Sequence, residues 1–264
     1  MPGSNPAASS RVFPVLMFLG LSALASVVAY GSASEWASSW RDRDITVDGS
    51  DEEWRGHELP VNKQRFSLGL MNDGEFLYIC LPTKDAATRT QIGTAGLVVW
   101  VDPEGGKKRR FGVHFPVPNP PRSPGMRRPV PQTPPAEGEE PQIPGQQMVG
   151  ILGPGKNDAK LVPADEAGGI EARVGVHGDL AVYELKIPLV RSAEHPYAPN
   201  VQAGQTVRLE IETAPLRGPM APTGPYPGGF GVVIPLGGGR PSRYPAWSEP
   251  FDVTMNVRLA RGPQ

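Results

Sequence analysis

The chain has 264 residues, with 26 Lys+Arg against 27 Asp+Glu for a formal net charge of -1, together with 32 Gly, 32 Pro and one cysteine. A charge balance this close to neutral excludes a general nucleic-acid binder, whose phosphate contacts need a strongly basic surface. The density of turn formers excludes a helical protein and predicts short strands joined by loops, and the length fits one large all-β unit.

Residues 1–33 read as an export segment. Arg11 is the only charge before an uncharged run from Val12 to Ala33, and Gly31 and Ala33 stand at the minus-three and minus-one positions of a cleavage site. The run fits a signal peptide or an uncleaved membrane anchor, since about 20 apolar residues span a bilayer. Either way the mature domain is expected outside the cytoplasm, periplasmic or extracellular. Cys80 has no intrachain partner, so such a domain must rely on its packed core, with the thiol serving as a small apolar filler.

A polar linker is expected over 34–44 and one sandwich domain over 45–260. Ile45 and Val47 alternate as on a half-buried strand, Asp48-Gly49 turns, and Ser50 with Glu53 has the spacing of a helix capping box that drives Trp54 inward. Phe66, Leu68 and Leu70 keep period two, Asn72-Asp73-Gly74 supplies positive-φ residues for a tight hairpin, and Phe76 to Leu81 return. Ala95 to Asp102 is a nearly continuous apolar run, which suits a central strand covered on both faces and places Trp100, like Trp54, in the core. After the turn at Asp102-Pro103, Phe111, Val113 and Phe115 share one face and Arg110, Gly112 and His114 the other.

Residues 116–146 hold eleven prolines and almost no large apolar side chains, and are expected to form an extended insertion whose burial cannot offset its ordering entropy. Strand character returns at Gln147 to Leu152. Ile170, Ala172, Val174 and Val176 precede a turn at His177-Gly178-Asp179, and Leu180 to Leu189 come back with Pro188 at the strand end. Val207, Leu209 and Ile211 alternate, a Gly/Pro-rich loop region fills 214–247, and Phe251, Val253, Met255, Val257 and Leu259 close the sandwich.

Three segments in this order resemble the family 9 carbohydrate-binding modules and the wider DOMON-like superfamily. They are D-G followed by E-W and the L-Y-I-C-L strand, the apolar strand ending in Asp102-Pro103, and Y-E-L-K-I-P at 183–188. The resemblance implies an antiparallel jelly-roll type β-sandwich and a non-catalytic module that binds a polysaccharide or glycan at the cell envelope. It also implies two alternatives, a structural calcium and, as in some DOMON-like domains, a noncovalent haem held by a methionine with histidine or lysine. Met71, Met126, Met148, Met220 and Met255 supply thioethers, and there is no C-x-x-C-H attachment site. No tryptophan pair of this chain matches the pair that clamps the sugar in family 9 modules.

Catalytic constellations are missing from the sequence: it has no G-x-S-x-G, H-E-x-x-H, P-loop or C-x-x-C, and His57, His114, His177 and His195 are scattered. Sugar binding needs flat aromatic faces beside polar groups. Tyr226, Phe230, Tyr244 and Trp247, with Arg240 and Arg243, supply both in the late loop region and are the expected ligand-binding set, with coverage of the sandwich end as the alternative role. Asp48 and Asp51, in an acidic run from Asp42 to Glu53, are the expected metal ligands if calcium is bound, although helix capping also explains Asp51. The basic run Lys107 to Arg110 offers contact to anionic polymers or lipid head groups or, alternatively, a solvated hairpin tip, and the Pro-rich insertion offers a recognition arm for an envelope protein.

Overall fold

The computed structural model describes residues 35–61, 65–106, 108–118, 143–155, 158–213 and 251–263. Thirteen strands among them build two sheets. The first runs in the order β1 (Glu35–Ala37), β13 (Asp252–Arg258), β12 (Thr206–Thr213), β6 (Leu97–Asp102), β7 (Phe111–Phe115), β8 (Met148–Leu152) and β9 (Ala159–Pro163). The second runs β10 (Glu171–His177), β11 (Leu180–Pro188), β5 (Phe76–Thr83), β4 (Phe66–Asn72) and β2 (Ser39–Trp40), with β3 (Glu58–Val61) also on β4.

Period-two side chains make this an all-β sandwich. Leu68 and Leu70 of β4, Leu97 and Val99 of β6, Val207 and Leu209 of β12 and Met255 and Val257 of β13 meet in one buried cluster drawn from both sheets. Burying each such side chain is worth about 1.5–3 kcal/mol, so a register slip of one residue, which would turn every one of them to solvent, is strongly disfavoured.

Several local expectations are corrected. The expected linker is part of the fold: Glu35–Ala37 pairs in parallel with β13 and Ser39–Trp40 in parallel with β4, so the chain crosses from one sheet to the other at Ser38. Buried Asn72 ties the crossing, with its Oδ1 accepting from Ser38 Oγ at 2.5 Å and from the Ala260 amide at 2.8 Å. The pairings of β1 with β13 and of β2 with β4 are the parallel ones among the described strands, which otherwise pair antiparallel. Ile45 and Val47 alternate in exposure but join no ladder. The capping box does not form; a 3₁₀ turn over Glu52–Trp54 replaces it, and Ser50 Oγ accepts from the Glu52 amide at 3.3 Å.

The 72–74 hairpin uses no positive φ, because the Asp73 carboxylate accepts from the amides of Glu75 at 2.8 Å and Phe76 at 2.7 Å and pins the turn itself. An unexpected helix, α1 (Ala86–Ala95), starts at Asp85, whose side chain accepts from the Thr88 amide. Strands β3 and β9 are further additions.

The outer face of the six-stranded sheet is sealed by residues 45–57. Trp54 lies flat on Gly69 of β4, where an added Cβ would meet the indole at 2.5 Å, and packs with Met71, Tyr78, Cys80 and Val182. Its indole nitrogen donates to Glu184 Oε1 at 2.8 Å, while the amides of Asp48 and Gly49 donate to Glu184 Oε2 at 3.0 and 2.8 Å. The D-G, the tryptophan and the glutamate of Y-E-L-K-I-P thus converge on one buried carboxylate. Burial pushes the Glu184 carboxyl up from about 4.5 to about 7, against the pull of the hydrogen bonds from Gly49, Trp54 and Asp48. Cys80 lies under the same seal, and burial raises its thiol.

The apolar run before residue 34 lies outside the described residues, among which no helix is long and apolar enough to cross a membrane.

Candidate functional site

The outer face of the seven-stranded sheet carries a second tryptophan on a glycine, and this one keeps part of its surface exposed. Trp100 of β6 pairs with Gly112 of β7 on one side and Glu210 of β12 on the other. A Cβ on Gly112 would meet the indole at 2.5 Å, so the ring can lie flat only because that position is glycine. Trp100 is half-buried, where Trp54 is 1% exposed. The core placement expected for Trp100 is therefore corrected: β6 is central, but its even-numbered side chains point away from the shared interior.

Register arranges the surroundings. Val207, Leu209 and Ile211 fill the core, which forces Arg208, Glu210 and Glu212 onto the outer face. Asp252 of β13 stands opposite Glu212, and Thr254 opposite Glu210. Toward β7, β8 and β9 the same face turns apolar, with Val98, Leu152, Met148 and Leu161 in one cluster that includes Trp100. The indole marks the boundary between a charged half and an apolar half.

The charged half is tightly bonded. Trp100 Nε1 donates to Glu212 Oε1 at 3.0 Å, and Arg109 donates to Glu212 Oε2 at 2.7 Å and to Glu210 Oε1. The Arg109 guanidinium lies 5.4 Å from the centroid of the Trp100 ring. Arg109 reaches this place from the β6–β7 hairpin with a φ of 46°, a left-handed conformation that costs a non-glycine residue about 1–2 kcal/mol. The hydrogen bond from Arg109 to Glu210, then the two negative charges, raise the guanidinium further above its ordinary range. Oxygens of Glu210, Glu212 and Asp252 all lie within 4.8 Å of one another. Within the apolar half, buried His114 donates from Nε2 to the Ala95 carbonyl at 2.9 Å, and desolvation lowers its pKa against that bond.

Chemically this is a fixed aromatic ring lying on Gly112 with one guanidinium over it, edged by carboxylate acceptors. The exposed part of the indole can pack on the C–H groups of a ring, and the carboxylates can accept hydrogen bonds from its hydroxyls. Both glutamates accept from the same guanidinium, which ties β12 to the β6–β7 hairpin.

Two solved structures are similar to the chain at a low level. One is a family 9 carbohydrate-binding module from Caldicellulosiruptor kristjanssonii in complex with glucose, 12% identical, with a TM-score of 0.32 and coverage of 67% of this chain and 75% of that one. The other is a family 9 module from the same organism in complex with cellotriose, 10% identical, with a TM-score of 0.31 and coverage of 67% and 74%. No protein-family model and no curated protein matches the chain. At those scores the likeness says nothing of the ligand.

The expected ligand-binding residues Tyr226, Phe230, Arg240, Arg243, Tyr244 and Trp247 lie outside the described residues, as do 119–142 of the Pro-rich insertion. The ends of the late loop region are fixed together, the Thr213 amide donating to the Phe251 carbonyl at 3.1 Å. Asp48 Oδ1 accepts from the Ser50 amide at 2.8 Å, and Asp51 precedes the 3₁₀ turn without a side-chain cap bond. Elsewhere in the acidic run Asp42 pairs with Arg43 and Asp44 with Arg41. Of the basic run, Arg109 is held by Glu210 and Glu212 and Arg110 by Glu104, so two of its charges are answered within the chain.

Glu210, Glu212, Asp252 and Glu184 were not singled out as site residues from the sequence, and Arg109 was read there only as part of the basic run Lys107 to Arg110. For Glu210 and Glu212 a signal exists, since V-R-L-E-I-E alternates apolar with charged and places three charges on one face. The partnership with Trp100 depends on strand register and has no local signal.

Proposed function

We propose that the chain is a non-catalytic saccharide-binding module that docks a sugar ring on the outer face of its seven-stranded sheet, at Trp100. One observation carries this: a partly exposed indole held flat on Gly112, its N–H fixed by Glu212, with the Arg109 guanidinium over the ring and Glu210 and Asp252 alongside. A sheet face of this kind is preorganised, so little ordering entropy opposes binding. On the other sheet Trp54 lies on Gly69 in the same way but is 1% exposed, which leaves no surface for a ligand. We also propose that the module works outside the cytoplasm, as the uncharged run 12–33 supports.

Affinity electrophoresis through gels containing a panel of soluble polysaccharides tests the proposal. Wild-type protein is expected to be retarded by at least one of them, and Trp100→Ala, verified as folded by circular dichroism, to migrate freely. Equal retardation of both proteins would overturn the assignment of the face.

A further inference from the structure

Two hydroxyls in the sandwich interior have no hydrogen-bond partner among the described residues. They are Tyr183 Oη, on a β11 side chain that is 0% exposed, and Thr213 Oγ1, at the end of β12 on a residue 5% exposed. Both point inward, since Tyr183 continues the core row of Leu185 and Ile187, and Thr213 that of Val207, Leu209 and Ile211. A buried polar group left unanswered costs about 1–3 kcal/mol, and native interiors answer nearly all of theirs. Buried Thr83 of β5 follows that rule, its hydroxyl donating to the Arg65 carbonyl at 2.5 Å and accepting from the Asp85 amide at 3.2 Å.

Register brings the two hydroxyls to one end of the interior. Thr213 stands opposite Leu97 and Leu97 opposite Phe115, whose ring meets that of Tyr183 edge-on, with centroids 6.3 Å apart across the sheets. Phe251, whose carbonyl takes the Thr213 amide, packs on Phe66 of the other sheet at 5.0 Å. Helix α1 joins β5 to β6 at this end, beside β12, and sends Ile92 into the same core. The hydroxyls therefore sit among aromatic and aliphatic walls, and no inward-facing residue of β6, β7, β11 or β12 is charged.

We propose that the α1 end of the interior is a second binding site, which takes a small neutral molecule with an apolar body and oxygen groups for Tyr183 and Thr213. It is independent of the face at Trp100, whose side chain points out of the other side of β6. Apolar and aromatic walls with a few fixed polar groups are the usual make-up of a small-molecule site. Burial pushes the Tyr183 phenol up, so it stays protonated and can donate to an oxygen. A charged ligand is disfavoured, because these walls offer no counter-charge. Water alone fits less well: a buried water makes about three hydrogen bonds, and the two hydroxyls lie on different sheets with Leu97 and Phe115 between them in register.

Saturation-transfer NMR titrations of the full chain with 4-hydroxybenzyl alcohol, p-cresol and p-xylene test this, because the three share a ring and lose one oxygen at each step. Affinity is expected to fall in that order, by about three- to ten-fold per oxygen, the worth of one net hydrogen bond. Tyr183→Phe and Thr213→Val keep the side-chain shapes, and each should weaken binding of the hydroxybenzyl alcohol by a similar factor while leaving p-xylene unchanged. Trp100→Ala should leave all three unchanged. No binding of the hydroxybenzyl alcohol at millimolar concentration, equal binding of the three compounds, or binding indifferent to both hydroxyl substitutions would overturn the proposal. Loss of binding in Trp100→Ala would place the ring on the outer sheet face and overturn it too. The polysaccharide gels judge the Trp100 face separately, so either reading can fail alone.

Discussion

Glu184 gives the fold a pH dependence of definite sign. Its carboxyl, buried under residues 48–54, is pushed up from about 4.5 to about 7, with desolvation as the largest cause and three N–H donors pulling the other way. For an acid whose folded value is raised, the contribution to stability is fully present below the unfolded value, near 4.5, and is lost as pH rises through the folded value, near 7. A difference of about 2.5 units at 1.36 kcal/mol each sets an upper bound of about 3 kcal/mol lost between pH 4.5 and pH 8.

Glu184→Gln keeps the shape and removes the titration. Urea unfolding of both proteins at half-unit pH steps isolates the group, because every other titrating residue cancels in the difference. The stability gap should move in favour of the glutamine variant by up to about 3 kcal/mol as pH rises from 4.5 to 8. A gap that is flat with pH, or one that moves in favour of the wild type, would refute the reasoning. It would mean that the hydrogen bonds from Asp48, Gly49 and Trp54 outweigh the desolvation of the charge.

Gly69→Ala should destabilise the domain by about 1–3 kcal/mol, as overpacking does, because the new Cβ would stand 2.5 Å from the Trp54 ring; an unchanged denaturation midpoint would contradict the packing described. Cys80, at 0% exposure and with its thiol raised by burial, should resist an aromatic disulfide reagent in native buffer and react fully in denaturant. Rapid native labelling would mean that the seal over the six-stranded sheet opens readily.

Strand periodicity made the sandwich legible. Phe66-x-Leu68-x-Leu70, Val207-x-Leu209-x-Ile211 and the alternation through Met255 and Val257 each mark a buried face, and the structure puts all of them in one core. The faces of β6 were harder, because L-V-V-W-V-D is apolar almost throughout and carries no alternation to say which way Trp100 points. Its direction follows only from pairing with β12, where the charges of Glu210 and Glu212 mark the solvent side.

The edge strands Glu35–Ala37 and Ser39–Trp40 are only three and two residues long, too short to show a period, and they are held by Trp36 against the core and by the network of Ser38, Asn72 and Ala260, which joins residues more than 180 positions apart. Helix α1 was missed because A-A-T-R-T-Q-I-G-T-A has little amphipathic pattern, and the cap at Asp85 is its clearest local mark. The D-G, E-W and E-L-K-I-P segments were legible as a resemblance. Their meeting at Glu184 required the register of β10, β11 and β5.

The assignment of the binding face is tested most directly by a crystal structure of the protein with a bound oligosaccharide. The account predicts a sugar ring stacked against Trp100, with hydrogen bonds to Glu210 or Asp252 on the seven-stranded sheet. A sugar bound over the six-stranded sheet, or held by residues 214–250 with Trp100 untouched, would contradict it.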